Sequence, residues 1–153
     1  MGGLIISNML SRVRINSCLL IAVLTIAGCT TSGPAFTKID NVPADQGLIY
    51  IYRPSVMHGA ALVPYVVINN LNAIPLKTGG YYPYLSAPGE VRISITYTAK
   101  RSITINVKAG ETYYVKVGTV FGAFGIPYIE LAPAEIGLVE IAECKRLPDV
   151  PGL

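Results

Sequence analysis

Chemistry near neutral pH calls for a titrating base, an activated nucleophile or a cluster of metal ligands. The 153-residue chain has few of these. His58 is its single histidine, set in the segment SVMHGA at 55–60. A Ser-His-Asp or Cys-His arrangement would have to use it. Met57 beside it could touch a soft metal, but two adjacent residues are not a site, and a solvent-exposed loop is the simpler reading. The carboxylates are Asp40, Asp45, Glu90, Glu111, Glu130, Glu135, Glu140, Glu143 and Asp149. No two of them stand out as a glycosidase-type acid/base couple. Glu90 and Glu111 follow turn glycines, while Glu135, Glu140 and Glu143 fall on a predicted helix as its solvated face. Neither Cys-x-x-Cys nor His-Glu-x-x-His spacing occurs. Gly118, Gly122 and Gly125 lack the Lys-Ser/Thr of a phosphate loop and read as bulges or close strand packing. No catalytic residue, metal ligand or cofactor is expected.

The enrichment that remains is in tyrosine: Tyr 10 against Trp 0. Tyr81, Tyr82 and Tyr84 form one cluster, Tyr113 and Tyr114 another. Neighbours on a strand point to opposite faces, so only one of the second pair can be core. Exposed tyrosine offers amphipathic contact area to a sugar or a protein, which makes Tyr81, Tyr82, Tyr84 and Tyr114 a candidate binding surface. The plainer account is that tyrosine suits strands. Lys100 and Arg101 at a hairpin tip, with Arg92 and Lys116 on a polar face, could favour anionic envelope polymers or headgroups. A solvated sheet face is the simpler reading.

The N-terminus is organised differently from the rest. Arg12 and Arg14 are followed by the apolar run CLLIAVLTIAG at 18–28. A positive stretch, a short apolar core and small residues are the layout of a secretory signal peptide. The run is well short of the roughly 20 residues that span a bilayer. Met1 and Met9 are both candidate starts. The tetrapeptide Ile26-Ala27-Gly28-Cys29 resembles the lipobox of bacterial lipoproteins. That resemblance implies a diacylglyceryl thioether on Cys29, cleavage between Gly28 and Cys29, and acylation of the new amine, palmitate being a typical chain. Thr30 stands where Asp usually retains such proteins in the inner membrane. An outer-membrane lipoprotein facing the periplasm is therefore implied, with inner-membrane anchoring as the alternative. With Cys18 removed and Cys29 lipidated, Cys144 alone remains, which excludes an intramolecular disulfide. Its apolar neighbours Ile141 and Ala142 favour burial.

The remaining composition bounds the fold. Hydrophobic residues make up 52% and charged residues 14%, which excludes intrinsic disorder and a coiled coil. Gly 15 and Pro 11 interrupt the chain too often for a helix bundle, and net charge +3 gives no ground for nucleic-acid binding. Residues 29–45 are small, polar and Pro-rich and read as the lipidated Cys and a tether, reaching roughly 50 Å at about 3.3 Å per residue. A domain follows over 46–146. Strands are predicted at 47–53, 61–69, 73–76, 81–85 and 128–131. The strongest alternation runs through 91–98, 102–108 and 112–118, which predicts an antiparallel meander. A short helix starts at Pro133, suited to N1, and the tail 147–153 is expected to fray. The fold class is thus mainly β: an antiparallel β-sandwich, Ig-like or prealbumin-like, with a short C-terminal helix.

The strings IYIYRP at 49–54, VINN at 67–70, GYY at 80–82, APGE at 87–90 and KAGETYYV at 108–115 resemble a family of Gram-negative lipoproteins catalogued as domain of unknown function 2846. The resemblance implies location and fold and adds no chemistry. Three functions stay open. The first is a non-enzymatic, lipid-anchored binding or scaffolding module, whose partner would be an envelope protein or polysaccharide. The second is an envelope hydrolase or carbohydrate-active enzyme with a polar pocket around Glu90, Glu111 or His58. The third is a structural subunit that pairs through a strand edge.

Overall fold

In the computed structural model, residues 31–56, 59–71, 73–96, 101–120 and 125–151 are described. The segment 1–28 expected to be a signal peptide, and Cys29, Met57, His58, Lys100 and Gly122, lie outside them. Among the described residues, nine strands and one helix follow in order: β1 (Gly47–Arg53), β2 (Tyr65–Ile68), β3 (Ile74–Pro75), β4 (Gly80–Ser86), β5 (Gly89–Thr96), β6 (Arg101–Val107), β7 (Thr112–Val120), β8 (Ile126–Ala132), α1 (Ala134–Ile141) and β9 (Lys145–Arg146). They form two sheets, β8-β7-β1-β4-β9 and β3-β2-β5-β6. Ile49, Ile51, Val115 and Val117 of the larger sheet pack against Val66, Ile68, Ile93 and Ile95 of the smaller. The β-sandwich expected from the sequence is present.

The all-antiparallel pairing is not. The larger sheet is mixed, with β1 parallel to β7 and β4 parallel to β9. The predicted meander breaks after its first hairpin. β5 and β6 pair as expected, but β7 crosses to the other sheet and lies beside β1. The turn at Ala109 and Gly110 makes that crossing, with Gly110 at φ 76°. Gly110 N–H donates to Gln46 O, and Leu48 N–H donates to Glu111 O. Alternation of period two reports which side chains are buried, not which sheet the strand joins. Two other readings held in outline: Asn69 and Asn70 take positive φ as a tight turn requires, and a short helix follows Pro133. Pro133 is its N-cap rather than its first residue.

Every residue of β1 is buried. In a two-layer sandwich one face of each strand should meet water. Here the outer face of the larger sheet is covered too. Leu48, Tyr50, Tyr52, Tyr81 and Tyr114 form a second core with Ile141 and Cys144, against which Phe36, Ile39 and Val42 pack. The segment 31–45, read from its composition as a tether, is therefore a strap laid on the sheet. Ala35 bridges to Lys145, Phe36 N–H donates to Cys144 O, and Arg146 N–H donates to Pro34 O. Phe36 meets the rings of Tyr50 and Tyr81 edge-on, with centroids 5.3 and 5.2 Å apart. Ile39 N–H donates to Tyr50 Oη at 2.7 Å. Small residues such as Gly33 make the close approach workable, since a Cβ there would sit 2.1 Å from Arg146 O.

The start of the tail is likewise packed where it was expected to fray. Leu147 is buried in the inter-sheet core, and Arg146 pairs with Asp149 at 3.0 Å.

Candidate functional site

β1 and β7 run parallel, so their C-terminal residues emerge at one end of the sandwich, the Arg53 end. Side chains alternate along β1. Arg53 follows Ile49 and Ile51 onto the inter-sheet side, and Tyr52 follows Leu48 and Tyr50 onto the outer side. Each of the two carries a polar network.

Arg53 is fully buried. Its guanidinium donates to the carbonyls of Leu62, Gly59 (2.7 Å) and Leu76 (3.4 Å). It thereby closes the end of the inter-sheet core by tying down the 59–64 loop and the segment after β3. Nε has no partner among the described residues. Burial holds the guanidinium below its usual pKa, though an arginine keeps its proton at physiological pH.

On the outer side, Tyr52 Oη donates to Glu140 Oε2 at 2.6 Å, and Lys116 Nζ donates to Oε1 of the same carboxylate at 2.5 Å. Burial pushes Glu140 upward, but the hydrogen bonds from Lys116 and Tyr52 outweigh it and hold the carboxyl below its usual value. Burial pulls Lys116 down, and the bond to Glu140 with nearby acidic groups raises it above the usual lysine value. Burial, then the bond to Glu140, drives Tyr52 far above an ordinary tyrosine. All three groups are therefore locked in their neutral-pH forms. Lys116 and Glu140 line a cleft of about 160 Å³ with Arg53, Pro54, Thr119 and Tyr128. Within it Lys116 and Glu140 are paired with each other, while Arg53 is bonded to backbone carbonyls.

Glu140 was read as part of a solvated helix face, and Lys116 as part of a polar sheet face; the structure corrects both. The helix buries Gly137 and Ile141, and Glu140, three residues on from Gly137, lies on that residue's side of the helix. Lys116 pairs with Glu130 of β8 and Tyr52 of β1 in the sheet register, on the face that α1 covers. Arg92, by contrast, is exposed as expected and reaches Ser102.

A second cleft, of about 230 Å³, opens where the edges of the two sheets separate. Ile74 and Pro75 of β3 face Leu147, Pro148 and Val150 of the tail across it, with Thr31 at its margin. Thr31 is 3% exposed, and its hydroxyl donates to Thr78 O at 2.8 Å.

The family model described as protein of unknown function DUF2846 matches residues 43–126, a span running from the end of the strap through β7 into the start of β8. The chain belongs to that family. No curated protein and no solved structure matches it. The match takes in the β1 string with Tyr52 and Arg53, the Asn69–Asn70 turn and Lys116, but not Glu140, so the family signature covers only part of the polar network.

The tyrosines expected as a binding surface do not form one. Tyr81, Tyr82 and Tyr114 are buried, and Tyr84 packs half-buried on the inter-sheet core. A sheet covered on both faces buries both sides of each central strand, which a two-layer picture does not anticipate. Tyr113 is half-buried as well. Its hydroxyl accepts from Lys108 N–H and donates to Glu111 at 2.6 Å, which lowers the Glu111 carboxyl. Glu90 is exposed on β5, and neither it nor Glu111 lines either cleft. Cys144 is buried as expected, and burial, with Glu143 and Glu140, pushes its thiol up to about 12, which keeps it protonated at neutral pH. Among the described residues no three His, Cys, Asp or Glu side chains gather as metal ligands, and no helix is long and apolar enough to cross a membrane.

What the sequence reading missed is apolar surface. On α1 and the strand before it, Leu131, Ile136, Leu138 and Val139 are exposed, Val139 at 72%. At the Arg53 end Val56, Tyr65, Val120 and Ile126 are exposed as well.

Proposed function

We propose that the protein is a lipid-anchored envelope lipoprotein acting as a non-enzymatic binding or scaffolding module. The observation that carries this is the register of Arg12 and Arg14, the apolar run and Ile26-Ala27-Gly28-Cys29. In that register the small residues 27 and 28 precede the one cysteine that a lipobox requires. Acyl chains on Cys29 each contribute about 0.8 kcal/mol per buried methylene, and two or three together anchor stably. Export to the outer membrane, facing the periplasm, follows from Thr30 in place of Asp. Holding the module at the membrane raises its effective concentration toward membrane-bound partners.

The mutual neutralisation of Lys116 and Glu140 supports a structural use of the charged groups over the hydrolase alternative. The outward side chains of α1 support a protein contact, since exposed apolar patches of this kind mark interaction surfaces. The test is Cys29→Ser in the native host. We expect an uncleaved precursor without fatty-acid label. Normal labelling of that variant would overturn the anchor.

A further inference from the structure

The larger sheet has two unlike ends. At the Gly47 end lie the turns around Pro88 and around Ala109 and Gly110, whose residues are polar, small and exposed; Leu85 of β4, 41% exposed, is the large apolar side chain beside them. At the Arg53 end, about 20 Å away along β1 at ~3.3 Å per residue, lie the exposed side chains of Val56, Val120 and Ile126. Val120 and Ile126 are cross-strand partners, 48% and 47% exposed. The smaller sheet points the same way. β5 leaves the Ser86–Gly89 turn and runs toward Thr96, whose partner Tyr65 is 50% exposed. Arg53, through Leu62 and Leu76, ties that end of β2 to its own. Exposed Lys77 and Arg101 also sit at this end.

The chain enters the fold here as well. Thr31 is fixed to Thr78 O, and Thr78 Oγ1 in turn donates to Pro54 O at 3.2 Å, just before Val56. Thr31 is two positions along the chain from Cys29, a reach of at most about 7 Å. The strap has taken up the chain that would otherwise be slack.

We propose that the Arg53 end is a membrane seat: it rests on the phospholipid surface that anchors Cys29, in one fixed orientation. Val56, Val120 and Ile126 enter the headgroup region, Tyr65 sits at its level as interfacial tyrosines do, and Lys77 and Arg101 face lipid phosphates. The Gly47 end and its turns then point away from the bilayer. This inference rests on the lipid-anchor reading, and the experiment separates the two.

The chain has no tryptophan, so one introduced residue is a clean probe. Full-length protein carrying Val120→Trp, Ile126→Trp or Ala109→Trp is purified from membranes and checked by intact mass for lipid on Cys29. It is then reconstituted into phosphatidylethanolamine and phosphatidylglycerol vesicles with brominated acyl chains. Side chains at an interface sit about 5–10 Å into the headgroup boundary, so Val120→Trp and Ile126→Trp should lose roughly half or more of their emission. Ala109→Trp should keep its emission. Two seat-end probes guard against one variant that folds poorly. Lipidated protein in which the seat-end tryptophans stay as bright as the one at position 109 overturns the seat and leaves the anchor standing. A bare thiol at position 29 overturns both.

Discussion

Phe36→Ala tests whether the strap is part of the fold. The ring makes two edge-on contacts, to Tyr50 at 72° and to Tyr81 at 75°. Each such pair contributes about 0.5–1.5 kcal/mol beyond burial. Phe36 is half-buried, so truncation also forfeits roughly half of the 1.5–3 kcal/mol of a fully buried large side chain. Together the loss is about 2–4 kcal/mol. That is a substantial fraction of the 5–15 kcal/mol by which a typical domain is stable. The assay is urea unfolding of the Cys29→Ser protein. At a slope of about 2 kcal/mol/M, the middle of the usual range in urea, the midpoint should fall by roughly 1–2 M with the slope unchanged. Thr37→Ala, at the exposed neighbour, should stay within about 0.5 kcal/mol. Amide exchange gives a second readout. Phe36 N–H, bonded to Cys144 O, and Ile39 N–H, bonded to Tyr50 Oη, should be protected in the parent and released by the substitution. A midpoint unmoved by Phe36→Ala, together with rapid exchange at both amides in the parent, would refute the strap. Residues 31–45 would then be the free tether that their composition suggests.

Two further predictions concern α1. Gly137→Ala should destabilise, although alanine is the better helix former by about 1 kcal/mol. A Cβ at 137 would lie 2.4 Å from Cβ and Cγ of Tyr114, atoms that cannot swing away, and overpacking of this kind costs about 1–3 kcal/mol; a gain in thermal midpoint would contradict the close helix–sheet contact. Glu140→Gln removes the carboxylate that takes hydrogen bonds from Tyr52 and Lys116, and should cost about 1–3 kcal/mol at neutral pH. The depressed Glu140 contributes stability that is present above its unfolded value near 4.5 and lost as pH falls through the folded value. The raised Lys116 contributes stability present below its unfolded value near 10.5 and lost as pH rises through the folded value. The parent's stability should therefore drop at both limits, and Glu140→Gln should flatten both limbs. An unchanged acid limb would show that the carboxylate is not held as the geometry indicates.

The sequence conveyed strand positions better than their partners. The alternation through 91–107 identified strands because half-burial leaves a period of two, and the aromatic and β-branched residues of the β1 string identified another. The same period cannot tell a strand buried on one face from one buried on both, so Tyr81, Tyr82 and Tyr114 looked available for binding when each faces a core. What covers the outer face comes from a stretch whose small and Pro-rich composition reads as linker. Its three apolar contacts, Phe36, Ile39 and Val42, are spaced three residues apart with no regular secondary structure, and no periodicity rule picks out such a pattern. The helix held a signal that could have been used. Gly137, Glu140, Ile141 and Cys144 stand at i, i+3, i+4 and i+7, the stripe of a helix face that meets a core. Taking Gly137 as a weakness of the helix, and Glu140 as solvated because it is charged, hid that stripe. Read by spacing instead of by residue type, it puts the smallest residue where the helix comes closest to Tyr114. It also puts a carboxylate on the covered face, where a half-buried acid favours an opposite charge nearby. Lys116 stands on the face of β7 that α1 covers and meets that demand.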